Sequence, residues 1–307
     1  MPGKIEFLTT DGSLHLFKLG RNWKRDLEVR VRPQGNGELL KLPFPADRDR
    51  LEVPGLDPDR HYEVRVSYRR PWHRVRHAPE ELTVTPRTRG LRVIITGSGR
   101  SGTKTLAHFL DGLSFVDGEP VVARHEPLSE WVVPALADRD FELALLQQRG
   151  ALHNVETAPY YSLYPQLLRA DKVLLVIRDG RRVVQSGLNR NWYGNDNPWN
   201  RIKPAYEGTQ FEKCCRLWRD ANTEVAKVAH AVFRLEDLTA DPAHLDAFCA
   251  AAGIVNRGRE LPHSNRGKQP STTFTEWTAE QERQFETICG GVMDRHYPGW
   301  RLDSSRG

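Results

Sequence analysis

Fourteen residues constrain the fold more than any other stretch: Val93-Ile-Ile-Thr-Gly97-Ser-Gly99-Arg100-Ser101-Gly102-Thr103-Lys104-Thr105-Leu106. An apolar, strand-like run passes into small residues and then directly into a helix-like run. Such a turn leaves a row of backbone N–H groups without intrahelical partners, and the helix dipole adds positive potential at the same point. Together they make an anion site, most often for phosphate. Three glycines with Arg100, Ser101, Thr103 and Lys104 in one turn argue against a bare strand–helix connection.

The loop is not a standard nucleotide-hydrolysing one. That pattern, G-x-x-x-x-G-K-[ST], is kept at Gly97 and Gly102, but Thr103 stands where the lysine must be. Lys104 comes one residue late, and one residue is about 100° on a helix, so it does not simply substitute.

What surrounds the loop reads as strands followed by helices. Leu91–Thr96 and Lys172–Ile177 are apolar strands, each leading into a turn and a helix. Leu106, Phe109, Leu110 and Leu113 recur at helical spacing after the first. Ala231–Leu235 reads as another strand. Asp241-Pro242 supplies an N-cap and a first-turn proline for a helix to about Ala252. Thr278-x-x-Gln281 is a capping box opening a last helix, with Phe285, Ile288, Cys289 and Val292 on one face. This alternation predicts an α/β fold, a parallel sheet flanked by helices.

Residues 1–89 have another grammar. Ile5–Leu8, Leu14–Leu19, Leu27–Val31, His61–Tyr68 and the run from Leu82 are short apolar or alternating segments. Asp11-Gly12, Gly35-Asn36-Gly37, Pro54-Gly55 and Asp57-Pro58 supply turns between them. In His61–Tyr68, Tyr62, Val64, Val66 and Tyr68 share one face. The spacing predicts a small all-β sandwich. Leu51 to Val66 resembles the E–F corner of a fibronectin type III domain. Arg87–Gly90 reads as a linker, so the expected domains are 1–89 and 90–307. A chain of 307 residues accommodates both.

Composition narrows the class further. With 38% hydrophobic and 28% charged residues, the chain is neither disordered, collagenous nor membrane-embedded. No apolar run approaches the ~20 residues of a spanning helix. No export signal is visible at the start, and four cysteines without a C-x-x-C pair point to reduced thiols in a cytoplasm and to no metal site. Residues 1–90 hold 18 Lys and Arg against 13 Asp and Glu, whereas the remainder balances. That excess can contact a polyanion, but at this modest size a solvated surface explains it better, and no nucleic-acid partner is expected.

Arg100-Ser101-Gly102-Thr103 resembles the 5′-phosphosulfate loop of sulfotransferases that use 3′-phosphoadenosine 5′-phosphosulfate (PAPS). In that family a later strand ends in an arginine, and a serine follows eight residues on; both bind the 3′-phosphate. Arg178 and Ser186 stand at that spacing after Lys172–Ile177. Leu235-Glu236-Asp237-Leu238 resembles the family's Tyr-Glu-Asp-Leu, with leucine in place of the tyrosine. Arg266, Gly267 and Lys268 resemble its Arg-Lys-Gly loop, in a different order. The resemblance covers residues 91–300 and not the β region. It implies sulfuryl transfer from PAPS, without metal, to a hydroxyl or amine of a carbohydrate, small molecule or peptide.

On that resemblance Arg100, Ser101, Gly102, Thr103, Lys104 and Thr105 hold the 5′-phosphosulfate, and Arg100 stabilises the leaving group. Arg124-His125-Glu126-Pro127 offers two bases side by side, Glu126 and His125, with Glu126 favoured; His125 as a structural residue stays open. Glu156 is a reserve. Trp192, Tyr193 and Trp199, like Tyr160, Tyr161 and Tyr164, can serve as acceptor-stacking rings or as packing. Two other functions fit the sequence: a P-loop kinase of a small molecule, and a non-catalytic binding protein acting through its β domain.

Overall fold

The structure is a computed structural model, and it describes residues 4–10, 12–19, 26–35, 37–68, 80–84, 91–149, 153–261 and 277–301. The chain divides into two compact units, one of Met1–Gly90 with Leu145–Leu152, the other of Leu91–Ala144 with His153–Gly307.

Among the described residues the first unit holds seven strands: β1 (Lys4–Thr10), β2 (Ser13–Leu19), β3 (Leu27–Pro33), β4 (Leu40–Phe44), β5 (Arg50–Val53), β6 (Tyr62–Tyr68) and β7 (Glu80–Val84). They form two antiparallel sheets, ordered β1-β2-β5 and β4-β3-β6-β7. Ile5, Leu14, Leu16 and Val53 from the first sheet share one core with Val29, Val31, Val64 and Val66 from the second. This is the all-β sandwich expected from the alternation, built from inward-facing residues of both sheets. Tyr62, Val64 and Val66 are buried as their shared face requires.

The second unit is built on a five-stranded parallel sheet. Its strands are β8 (Leu91–Thr96), β10 (Ala123–His125), β11 (Val155–Thr157), β12 (Ala170–Ile177) and β13 (Ala231–Arg234). The order is β10-β11-β8-β12-β13, with every pairing parallel. A two-stranded antiparallel pair, β9 (Ser114–Phe115) with β14 (Ile254–Val255), stands apart from it. Helices cover both faces. On one side Leu174 and Val176 of β12 pack with Leu106, Phe109 and Leu110 of α1 (Thr103–Leu110) and with Phe248 of α8 (Pro242–Ala252). On the other, Ile177 packs with α4 (Gly180–Asn189), α6 (Gln210–Ala226) and α9 (Ala279–His296) through Trp218 and Phe285. Each large side chain fully buried in these layers contributes about 1.5–3 kcal/mol. The remaining helices are α2 (Ser129–Ala137), α3 (Glu142–Arg149), α5 (Pro198–Arg201) and α7 (Leu235–Ala240), with 3-10 turns at Pro159–Ser162 and Pro165–Leu167.

Strand order decides where a ligand can sit. From β8 the chain moves to β10 and β11 on one side, then crosses to β12 and β13 on the other. In open parallel sheets, the crevice at the carboxyl ends of the strands flanking such a reversal is where ligands bind. The glycine-rich loop leaves β8 at that point.

Candidate functional site

The loop is held in shape by close backbone contacts. A Cβ on Gly97 would lie 2.3 Å from the Val176 carbonyl oxygen of the neighbouring strand. Gly102 has φ 79°, and a Cβ there would meet Leu235 at 2.6 Å. Leu235 therefore packs on the loop itself. Gly97→Ala should destabilise the unit by the ~1–3 kcal/mol of overpacking, because the obstructing atom is backbone and cannot swing away. A melting curve unchanged from wild type would contradict this packing.

Gly102 is also the N-cap of α1, and no side chain caps that first turn. Ser101 is buried, its hydroxyl 3.4 Å from the Gly99 carbonyl, so this side chain braces the loop. Ser98 Oγ is buried with no hydrogen-bond partner. Ser98, Gly99, Arg100, Gly102, Thr103, Lys104 and Thr105 all line one cavity of about 690 Å³.

The second expected corner is the β12–α4 turn. Trp218 Nε1 donates to the Arg178 carbonyl at 3.1 Å, and Glu236 accepts from the Asp179 N–H at 3.1 Å. Glu236 in turn accepts from the Tyr297 hydroxyl at 2.9 Å. The Asp179 side chain caps α4 by accepting from the Arg182 N–H. Asp179 is thus a helix cap. Arg178 Nη1 donates to the Arg100 carbonyl at 3.1 Å, tying this turn to the glycine-rich loop. Ser186 is buried in the second turn of α4, and neither Arg178 nor Ser186 lines the cavity. Gln185 beside it accepts from Trp277 Nε1 at 2.9 Å. Arg266, Gly267 and Lys268 lie outside the described residues.

Arg100 carries its charge in a crowd. Burial and the like charges of Arg190 and Arg178 hold its pKa below the usual guanidinium range. A guanidinium stays protonated regardless, so the crowding makes a strong site for an anion.

The same cavity receives His125 and Glu126, which follow each other at the end of β10. Arg100 and Glu126 both have left-handed backbones, φ 59° and 47°. Such strain in non-glycine residues, about 1–3 kcal/mol each, concentrates at functional sites. His125 Nδ1 lies 3.0 Å from the Thr157 carbonyl oxygen and 3.1 Å from its hydroxyl. A carbonyl only accepts, so Nδ1 carries the hydrogen and Nε2 of the neutral ring is a bare acceptor. Nε2 lies 3.4 Å from Glu126 Oε1. Burial pushes Glu126 up to about 7, against an opposing pull from Lys104. Burial pushes His125 down to about 4, despite its Thr157 hydrogen bond. Around pH 7 the imidazole is therefore neutral and Glu126 is part protonated, with its Oε1 3.4 Å from the bare Nε2.

The two shifts have opposite linkage. Glu126, raised from 4.5, stabilises the fold at low pH, and that contribution is lost as pH climbs from 4.5 to about 7. His125, lowered from 6.5, stabilises it above 6.5, and that contribution is lost as pH falls to about 4. In the wild type the two slopes oppose. Glu126→Gln should leave stability rising between pH 4 and 6.5. His125→Gln should leave it falling between pH 4.5 and 7. Urea titrations across this range check both, and parallel curves for the two variants would refute the assignment.

Glu156 is fully buried on β11 and accepts from the Tyr160 hydroxyl at 2.8 Å, with His153 Nε2 at 3.3 Å on its other oxygen. It stands behind Tyr160, which lines the cavity, while Glu156 itself does not. The aromatic candidates divide in the same way. Tyr160, Trp192 and Trp199 line the cavity. Tyr193 packs within the α4–α6–α9 core, and Tyr164 is buried with its hydroxyl on the Ile202 carbonyl.

Arg190 and Lys203 line the cavity too, and no sequence pattern singles them out. Burial lowers the Lys203 ammonium to about 8. The four cysteines are buried free thiols. Among the described residues no group of three or more His, Cys, Asp or Glu could hold a metal ion, and no helix is long and apolar enough to cross a membrane.

No family model matches the chain, and no curated protein matches it. Among solved structures it is similar to the fn3 domain of human collagen alpha-1(XX) chain, at 20% identity over 28% of this chain and 81% of that one, with a TM-score of 0.22. It is also similar to the FN5 domain of Drosophila Lar, at 16% identity over 27% of this chain and 91% of that one, again with a TM-score of 0.22.

Proposed function

We propose that the parallel-sheet unit transfers a sulfuryl group from PAPS to a hydroxyl of an acceptor held in the cavity. The observation that carries this is the hydrogen bond from Arg178 to the Arg100 carbonyl, which joins two anion-binding corners at the sheet's reversal point. A nucleotide with phosphate on both its 3′ and 5′ sides needs two such corners. The residues present suit it. Ser98 Oγ is buried and unpartnered, and Gly102 leaves backbone bare where a side chain would intrude. Arg100 sits beside two further guanidiniums.

In this proposal the N–H groups from Ser101 to Thr105 hold the 5′-phosphosulfate, and Arg178 with Ser186 holds the 3′-phosphate. Bound there, PAPS supplies an activated sulfuryl group. Arg100 places a fixed positive charge at the loop, where negative charge develops, and pays no reorganisation at that moment. Glu126 takes the acceptor's proton on its carboxylate. His125, its tautomer fixed by Thr157, accepts a hydrogen bond from the protonated Glu126 and so holds it in place.

Calorimetric titration with 3′-phosphoadenosine 5′-phosphate, and separately with ATP and Mg²⁺, tests the cosubstrate. The bisphosphate should bind without metal and more tightly than ATP. Mg²⁺-dependent ATP binding with none of the bisphosphate would replace this function with a kinase.

A further inference from the structure

The cavity holds more positive charge than a phosphosulfate explains. Arg100 belongs to the glycine-rich loop, and Lys104 lies close enough to act on Glu126. Lys203 belongs to neither. It follows α5, and its ammonium is 2.6 Å from the Trp199 carbonyl and 2.7 Å from Asn200 Oδ1. Both partners are neutral, and they use two of its three donors. Among the described residues no carboxylate pairs with Lys203 or with Arg190, yet both line the cavity. A half-buried cation without a counter-charge is costly, and a bound anion would offset that cost.

An open aromatic surface lies next to this charge. Trp199 is 36% exposed on the cavity wall, with the Tyr160 ring 6.3 Å from it. Lys203 Nζ lies 5.7 Å over the Trp192 ring, and a Cβ on Gly99 would come within 3.5 Å of that same ring. Trp192 therefore links the subsite to the phosphate loop. A flat ring can stack on Trp199 while a negative substituent reaches Lys203.

We propose that the acceptor is a ring-shaped hydroxyl compound bearing its own negative group, with Trp199 receiving the ring and Lys203 the charge. This rests on the sulfuryl-transfer function for the word acceptor, but the subsite can be tested without turnover. Burial holds Lys203 near 8, so discrimination for the anion should fade above that pH. Arg100, Lys104, Arg190, His125 and Glu126 also face the cavity. Burial holds His125 neutral down to about 4 and raises Glu126 to about 7, and ionisation of Glu126 adds a repulsion common to every anionic probe.

The experiment uses the full chain saturated with 3′-phosphoadenosine 5′-phosphate, so that the loop arginines are occupied. Matched probes differ only in charge: methyl β-glucuronide against methyl β-glucoside, and 4-hydroxybenzoate against 4-hydroxybenzyl alcohol. Binding is followed by calorimetry and by the indole signal of Trp199 in NMR spectra. In at least one pair the acid should bind about tenfold more tightly, the value of one charge-assisted hydrogen bond. The pair that discriminates tells a sugar from an aryl acceptor. Lys203→Met should abolish the preference and Lys203→Arg restore it, whereas Trp199→Ala should weaken both members alike. Equal binding within both pairs, or no binding of any probe, overturns the inference. Failure of the bisphosphate to bind overturns the sulfuryl-transfer function instead, and the probe pairs are then compared on the free protein.

Discussion

Arg178→Ala should weaken binding of 3′-phosphoadenosine 5′-phosphate by about 2–5 kcal/mol, a loss of tens- to thousands-fold in affinity. The guanidinium stands at the carboxyl end of β12, with its backbone clamped by Trp218 and its neighbour Asp179 held by Glu236. Removing it takes away a charge-assisted partner for a dianion and leaves that phosphate desolvated. Those clamps are backbone contacts and survive the substitution. The variant should therefore keep most of its stability, losing only the bond to the Arg100 carbonyl. Ser186→Ala should cost nearer ~1 kcal/mol, since only a neutral hydroxyl is lost. Arg178→Lys keeps the charge without the planar fork and should fall between them. Wild-type affinity in both alanine variants, measured by calorimetry, would mean that the 3′-phosphate is held elsewhere.

Why Arg178 could be found in the sequence while Lys203 could not has a physical answer. The loop and the β12–α4 turn are set by local rules: glycine where backbone must pass within contact distance, a strand of uninterrupted apolar residues, a cap at a helix start. Those rules act over a few residues and leave a pattern. The caps at Asp241 and Thr278 were legible for the same reason, and both side chains make the expected bonds. Thr209 and Glu212 form an equally clear capping box at the start of α6, with Phe211, Cys214, Trp218 and Val225 behind it, a local signal of the same kind. Strands β4 and β5 were harder. Their alternations, Leu40, Leu42 and Phe44 in one and Leu51 and Val53 in the other, run over only five and four residues, and each strand fully buries a single side chain, Phe44 or Val53. Strands β10 and β11 have three residues each and no period at all. The cavity wall depends on which loops the sheet order brings together, so Arg190 and Lys203 carry no local mark.

Glu126→Gln should lower turnover by ~10²–10⁴, the usual contribution of general acid–base catalysis, while leaving affinity for the bisphosphate almost unchanged. The substitution keeps the side chain's shape and removes its capacity to take a proton. The wild-type rate, followed as transfer of label from ³⁵S-PAPS to acceptors in cell extract, should rise with pH as Glu126 ionises around its value of about 7 and then level off. The glutamine variant should lose that rise. His125→Gln acts differently, because the imidazole is held neutral down to about 4 and has nothing to release in this range. It removes the acceptor that Nε2 offers to protonated Glu126, so Glu126 should ionise at lower pH and the rate profile should shift to lower pH, with a smaller fall in the plateau. A flat wild-type profile, or an inactive His125→Gln beside an active Glu126→Gln, would move the proton-accepting role to the imidazole. Melting curves distinguish either result from simple unfolding, since neither variant should lose the fold at pH 7 if the pair serves chemistry.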